Sequence, residues 1–237
     1  MGIDPQPEIQ HLLVSVAEQL KVPLAIIARH AELGTMTGEV DRINASTIAT
    51  HADAALLLVD SYLLGLELLQ KQTQLELEPV SVSSLIVDIA HDLHGFASQY
   101  GIQIELQTSG RFGPVMSNSR GLKAAILSLG FAFIEAQAAD DSTPDRVILA
   151  SHRTPNGVVT GLYGMSQTIG TEAWRRALSL YGTAKQPFTE LSPNSGAGLF
   201  IADTILRCMD SHLRVGHYQQ KGGLAATLQP SRQLQLI

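Results

Sequence analysis

The chain has 237 residues, with 16 basic against 22 acidic side chains and a formal net charge of −6, a length that suits one or two domains. A hydrophobic fraction of 45% supports a real core. The acidic balance argues against non-specific nucleic-acid binding, and the single cysteine, Cys208, excludes a disulfide framework or a cysteine-based zinc site.

The opening MGIDPQPE lacks the basic region of a signal peptide. From about Pro7 to Leu33, Ile9, Leu13, Val16, Leu20, Leu24, Ile27 and Ala31 recur at spacings of three and four, which predicts one long helix with a heptad-like seam. Pro23 removes a backbone hydrogen bond inside that run and is either a kink or a hinge. Gly34 to Gly38 reads as a turn. A second helix follows from about Val40 to Lys71, with its seam at Ile43, Ile48, Ala52, Ala55, Val59, Leu63 and Leu66. The most apolar stretch, Ala54 to Leu69, is broken by Asp60 and Glu67 and is shorter than the ~20 apolar residues a membrane span needs. The pair forms an antiparallel hairpin whose apolar seams lack partners within one chain. A second copy would complete a four-helix bundle on a two-fold axis.

The pattern changes near Thr73. Leu75, Leu77 and Val80 alternate as a short strand. Ser83 to Gln99 is an amphipathic helix with Ser83 or Ser84 as its cap, and Ile102 to Leu106 alternates as a half-buried strand. After a turn and short strand over Arg111 to Asn118, Leu122 to Ala138 is an apolar helix. Val147 to Ser151 and Val158 to Leu162 form a hairpin around Thr154-Pro-Asn-Gly157. Glu172 to Tyr181 reads as a helix, with Trp174 as a core residue. Thr183 to Ser195 reads as a loop and Gly198 to Met209 as a helix. His212 to His217 and Ala225 to Gln229 pair around Gly222-Gly223. Mixed strands with helices on one face make an α+β sandwich. The expected domains are therefore a hairpin over 1–72 and a sandwich over 73–237.

This order of parts resembles the transmitter core of sensor histidine kinases, in which a dimerisation and phosphotransfer hairpin precedes a GHKL-type ATPase sandwich. Leu20-Lys-Val-Pro-Leu-Ala-Ile26 is similar to the phosphoacceptor box H-E-L-R-T-P-L-T-x-I. Glu78-Pro-Val-Ser-Val-Ser-Ser-Leu-Ile86 is similar to L-x-P-V-D-L-x-x-L, and Asn118-Ser-Arg-Gly-Leu122 stands at G-D-x-x-R-L. Ser128-Leu-Gly-Phe-Ala-Phe133 aligns with N-L-x-x-N-A, Gly164-Met-Ser-Gln-Thr-Ile169 with D-x-G-x-G-I, and Ser195-Gly-Ala-Gly-Leu199 with G-x-G-L-G-L.

The resemblance implies that most of the chemistry is gone. The phosphoacceptor position holds Glu18, the neighbouring acid Gln19, and the water-orienting Thr Val22. The Mg²⁺-chelating Asn is Ala132, and the lysine that follows it is Glu135, expected to repel phosphate. The adenine-accepting Asp is Gly164, and its two glycines are Ser166 and Thr168. Only Gly196 and Gly198 persist, either as an anion cradle at a helix start or as helix packing. No cofactor is expected, ATP and Mg²⁺ binding being lost. Glu18 is either a solvated bundle residue or a standing negative charge imitating a phosphorylated state. His51, expected level with Val22 and one turn from Glu18, is a candidate relocated phosphoacceptor.

The implied function is a cytoplasmic, catalytically inactive homodimeric adaptor in two-component signalling. It would bind a response-regulator receiver domain or a histidine kinase through Val16, Leu20, Lys21 and Leu24. Two alternatives stand beside it: a histidine phosphotransferase relaying phosphate between receivers, and a divergent ATP-dependent histidine kinase.

Overall fold

The computed structural model describes residues 17, 20–21, 23–34, 42–71, 74–138, 146–165 and 195–231. Helix α1 runs over residues 20–34, as far as it is described, and α2 over Arg42–Lys71. The remaining helices are α3 (Val82–Gln99), α4 (Ser119–Ala138) and α5 (Ser195–Arg207). The strands are β1 (Glu78–Val80), β2 (Gln103–Ser109), β3 (Val115–Ser117), β4 (Arg146–Thr154), β5 (Gly157–Met165), β6 (Leu213–Tyr218) and β7 (Lys221–Leu228). The expected turn beyond Gly34, the helix Glu172–Tyr181 with Trp174, and the loop over 183–194 lie outside the described residues.

A five-stranded sheet has the order β2-β4-β5-β7-β6, with β2 parallel to β4 and every other pair antiparallel. Strands β1 and β3 form a separate antiparallel pair. One face of the sheet buries Val147, Leu149, Val158, Leu162, Leu224 and Leu228 in a core shared with α3, α4 and α5. Phe96 and Phe131 meet edge to face at 5.0 Å between α3 and α4. This is the expected α+β sandwich.

Local chemistry explains the boundaries that differ from the sequence reading. Ser81, rather than Ser83 or Ser84, caps α3, because its hydroxyl accepts the Ser84 backbone N–H at 3.4 Å. Asn118 caps α4 and starts it earlier, its Oδ1 accepting from the Gly121 N–H at 2.8 Å. The β4–β5 hairpin turns at Pro155-Asn156 as expected, with the Thr154 hydroxyl donating to the Gly157 carbonyl at 3.0 Å.

The last hairpin turns elsewhere. Gln219 and Gln220 take positive φ values of 47° and 65°, while Gly222 and Gly223 lie inside β7. Gly223 is there for close approach. A Cβ on it would stand 2.1 Å from the Leu162 carbonyl oxygen and 2.7 Å from the Tyr163 ring. Tyr163 lies across the outer sheet face, and Tyr218 packs on it at 5.4 Å. The Tyr218 hydroxyl reaches Ser109 on the opposite edge strand at 2.8 Å, so the sheet curls.

Helix α2 also departs from expectation. The seam read from the sequence stays half-buried at Ile48, Ala52, Ala55, Val59 and Leu66, and exposed at Leu63. The chain instead buries the neighbouring face, through His51, Ala54, Leu58, Ser61, Tyr62, Gly65 and Leu68. Ala54, Leu58, Tyr62, Leu64 and Leu68 belong to the same core cluster as the sandwich. Gly65 permits a close contact, since a Cβ there would lie 2.6 Å from Ile201 Cδ1 of α5. On α3, a Cβ on Gly95 would lie 2.5 Å from Thr50 Cγ2 of α2.

Candidate functional site

The described motif positions lie along α4, with Ala132 against Gly198 of α5 and, further along the helix, Gln137 against Gly164 of β5. Ala132 is 1% exposed on α4, in the place of the metal-chelating side chain. Gly198 on α5 packs directly onto it, because a Cβ at 198 would stand 2.7 Å from the Ser128 carbonyl oxygen and 3.2 Å from the Ala132 Cβ. The two helices thus touch backbone to side-chain stub. Gly198 serves that packing, the plainer of its two readings. Gly196 lies in the first turn of the same helix. Phe133 is fully buried beside Ala132, which adds apolar volume rather than a polar contact.

At the end of β5, Gly164 faces Gln137. The Gln137 amide is buried and donates to the Gly164 carbonyl at 3.0 Å and to the Arg146 carbonyl at 3.4 Å. A Cβ on Gly164 would come within 2.8 Å of that amide nitrogen and 2.9 Å of the Arg146 oxygen. At the position that the motif alignment matched to an adenine-accepting aspartate, Gly164 thus faces a glutamine that ties α4 to two strands. Sequence reasoning missed Gln137. The sign available was a buried-type helix ending in an amide opposite a glycine.

Glu135 was expected to repel phosphate from an open site. It is instead half-buried, and its charge acts on Tyr100 at the end of α3. Burial first, and then Glu135, push the Tyr100 phenol up to about 12. Ser166 and Thr168 lie outside the described residues. Among the described residues, no group of three or more His, Cys, Asp or Glu side chains gathers to hold a metal.

On the hairpin, Val16 and Glu18 lie outside the described residues. Pro23 is buried, Lys21 is exposed, and Leu24 is 54% exposed. Leu20 is half-buried and packs against the main core, so it is only partly free for a partner. His51 is 0% exposed, its ring 6.5 Å from Phe96 of α3. The α1 group whose charge reaches it is His30, while Val22 and position 18, beside which it was expected, lie outside the described residues. A phosphoacceptor must meet a donor from outside, and this imidazole is closed off within a single chain.

Comparison with solved structures finds the same architecture at low sequence identity. The histidine kinase AdeS of Acinetobacter baumannii superposes with a TM-score of 0.50 and 16% identity, over 90% of this chain and 97% of that one. This chain has the fold of a histidine-kinase transmitter core. Histidine kinase ThkA, in its complex with the response regulator protein TrrA, gives 0.52 and 14%, over 92% of this chain and 60% of that one. A bacterial phosphotransferase gives 0.51 and 10%, over 95% and 98%. No protein-family pattern and no curated protein matches the sequence. Within the transmitter fold, α4 is long and apolar enough to cross a membrane, but 83% of that stretch is buried inside the protein, as befits a core helix.

Proposed function

We propose that this chain is a catalytically inactive, homodimeric adaptor of two-component signalling, with a response-regulator receiver or a histidine kinase as its partner. The observation that carries this reading is the packing at the nucleotide corner. Gly198 rests on Ser128 and Ala132, and Gln137 occupies the space in front of Gly164. Mg²⁺–ATP carries several negative charges and needs polar ligands when it leaves water. By the motif alignment, the corner offers Ala132 where the metal ligand would stand and Gly164 where the adenine acceptor would stand.

Dimerisation is supported by α1 and α2. Leu24, Leu33, Leu56 and Leu63 are 54%, 42%, 63% and 58% exposed. Leu56 and Leu63 lie seven residues apart, in line with Ala52, Val59 and Leu66. A second copy of α1 and α2 would cover that line and complete a four-helix bundle. A receiver is the proposed partner because a kinase of this fold is known in complex with a response regulator. Lys21 and Leu24 offer an exposed cation and an exposed apolar side chain on α1 for it.

Isothermal titration with receiver domains, in the absence of nucleotide, tests the reading. Binding weakened by Leu24→Asp and Lys21→Glu is expected. Absence of binding across all cognate receivers, and across the kinases that signal to them, would overturn it.

The second reading is a phosphotransferase, and one observation favours it: the likeness to a bacterial phosphotransferase over nearly the whole of both chains. It needs an accessible bundle histidine. His51 does not meet that need, so transfer of phosphate from a phosphorylated receiver, unchanged in His51→Gln, would point to another acceptor and to this second reading.

A further inference from the structure

The corner where α1, α2 and α3 meet is built around His51 in a way that the adaptor reading does not use. The ring is 0% exposed, and among the described residues neither ring nitrogen makes a hydrogen bond. Its preceding neighbour, Thr50, sits against Gly95 so closely that a Cβ on that glycine would be 2.5 Å from Thr50 Cγ2. Phe96 presents its ring at 72° to the imidazole, and Phe96 in turn packs on Tyr100 and Phe131. The helices are therefore in near-backbone contact, with the imidazole sealed between them. An uncharged ring tolerates this place, whereas an imidazolium has two N–H donors and a charge to solvate.

The facing groups do not supply that solvation. From α1 the group is His30, which repels a second positive charge. From α3 it is the Gln99 amide, the one neighbour that favours the charged form, and the neutral phenol of Tyr100 lies beyond Phe96. The carboxylate on this side of α4 is Glu135, and its charge acts on Tyr100.

We infer that this corner is an acid-sensitive latch, in which protonation of His51 loosens α2 from α3 and with it the hairpin from the sandwich. Burial is the main reason that the folded state holds His51 below its ordinary value of 6.5, with the Gln99 amide opposing and His30 adding to the effect. The folded form thus binds fewer protons than the opened one. The latch is at full strength above about pH 6.5 and is lost as pH falls through the lower folded value. Opening returns the ring to water, and the groups named against it, His30, Phe96 and Gln99, lie on α1 and α3 rather than on the β-sheet.

Hydrogen exchange of the full chain at pH 7.5 and 5.5, corrected for intrinsic rates, tests the latch without any partner or nucleotide. Segments 50–58 and 92–99 should gain exchange severalfold on acidification, up to a ceiling of about tenfold for one histidine between these pH values, while β4 and β5 stay unchanged. His51→Leu and His51→Gln should each remove that gain, and His30→Gln should reduce it. If His51→Leu does not fold, the Gln variant and an NMR titration of the wild-type imidazole decide. A His51 that titrates at or above 6.5, no gain in the wild type, or an equal gain in the His51 variants would overturn the inference. None of these outcomes bears on receiver binding, so the adaptor reading stands or falls separately.

Discussion

The two apolar faces of α2 have similar side chains and different surroundings. Ala54, Leu58, Tyr62, Gly65 and Leu68 meet the sandwich and lie in its core. Leu56 and Leu63, nearly half a turn away, are 63% and 58% exposed. One chain can satisfy only one of these faces, since a helix buried all round needs partners on all sides. The difference teaches that the hairpin is fastened to its own sandwich by one stripe, while the other stays exposed and is the face that the proposed dimer would cover. It also shows why a seam read from spacing alone is ambiguous on a helix that is apolar on two sides.

The sharpest way to break this comparison is to charge the uncovered face. Leu56→Asp with Leu63→Asp removes four leucines from a two-fold interface, and burial of each is worth about 1.5–3 kcal/mol. Sedimentation should find a folded monomer, with dimer affinity lowered by a thousandfold or more. A dimer that survives would place the interface elsewhere.

The covered face gives the next effect. Leu58→Ala opens a cavity in the core and should cost about 2–5 kcal/mol in urea unfolding. Leu56→Ala, measured in the same way on the monomeric background, should stay within about 0.5 kcal/mol. Equal losses at the two positions would mean that the faces do not differ.

A smaller effect comes from the glycine that seats α5 on α4. Gly198→Ala forces α5 away from the Ser128 carbonyl, which lies 2.7 Å from the added Cβ. The expected loss is about 1–3 kcal/mol by thermal or chemical unfolding. A neutral or stabilising outcome would mean that the two helices are not in contact there.

Much of the fold was legible in the sequence, because it rests on local signals. The alternation in β2, the Thr154-Pro-Asn-Gly157 turn and the apolar spacing of α3 and α4 each depend on a few neighbouring residues. What was not legible depends on contacts distant in sequence. Gly222-Gly223 has the composition of a turn, yet Gly223 is small because Leu162 and Tyr163 pass within 3 Å, and the turn falls on two glutamines. Ser81 caps α3 although Ser83 and Ser84 look equally suitable.

The same holds at the site. The substitutions at 132 and 164 are visible in the motifs, but their consequence is not. Only the fold shows Gly198 seated on Ala132 and Gln137 bonded across to Gly164 and Arg146. Glu135, read as a charge near phosphate, also bears on the half-buried Tyr100. His51, read as a candidate phosphoacceptor on the hairpin, is sealed against α3 because α2 docks on its second face.

The central claim is that the nucleotide corner is closed, and thermal unfolding of the full chain with Mg²⁺–ATP tests it most directly. The account predicts no shift in Tm at any nucleotide concentration that leaves a control protein unaffected. A saturable stabilisation, reaching about 2.7 kcal/mol at a hundredfold excess over Kd, would contradict it.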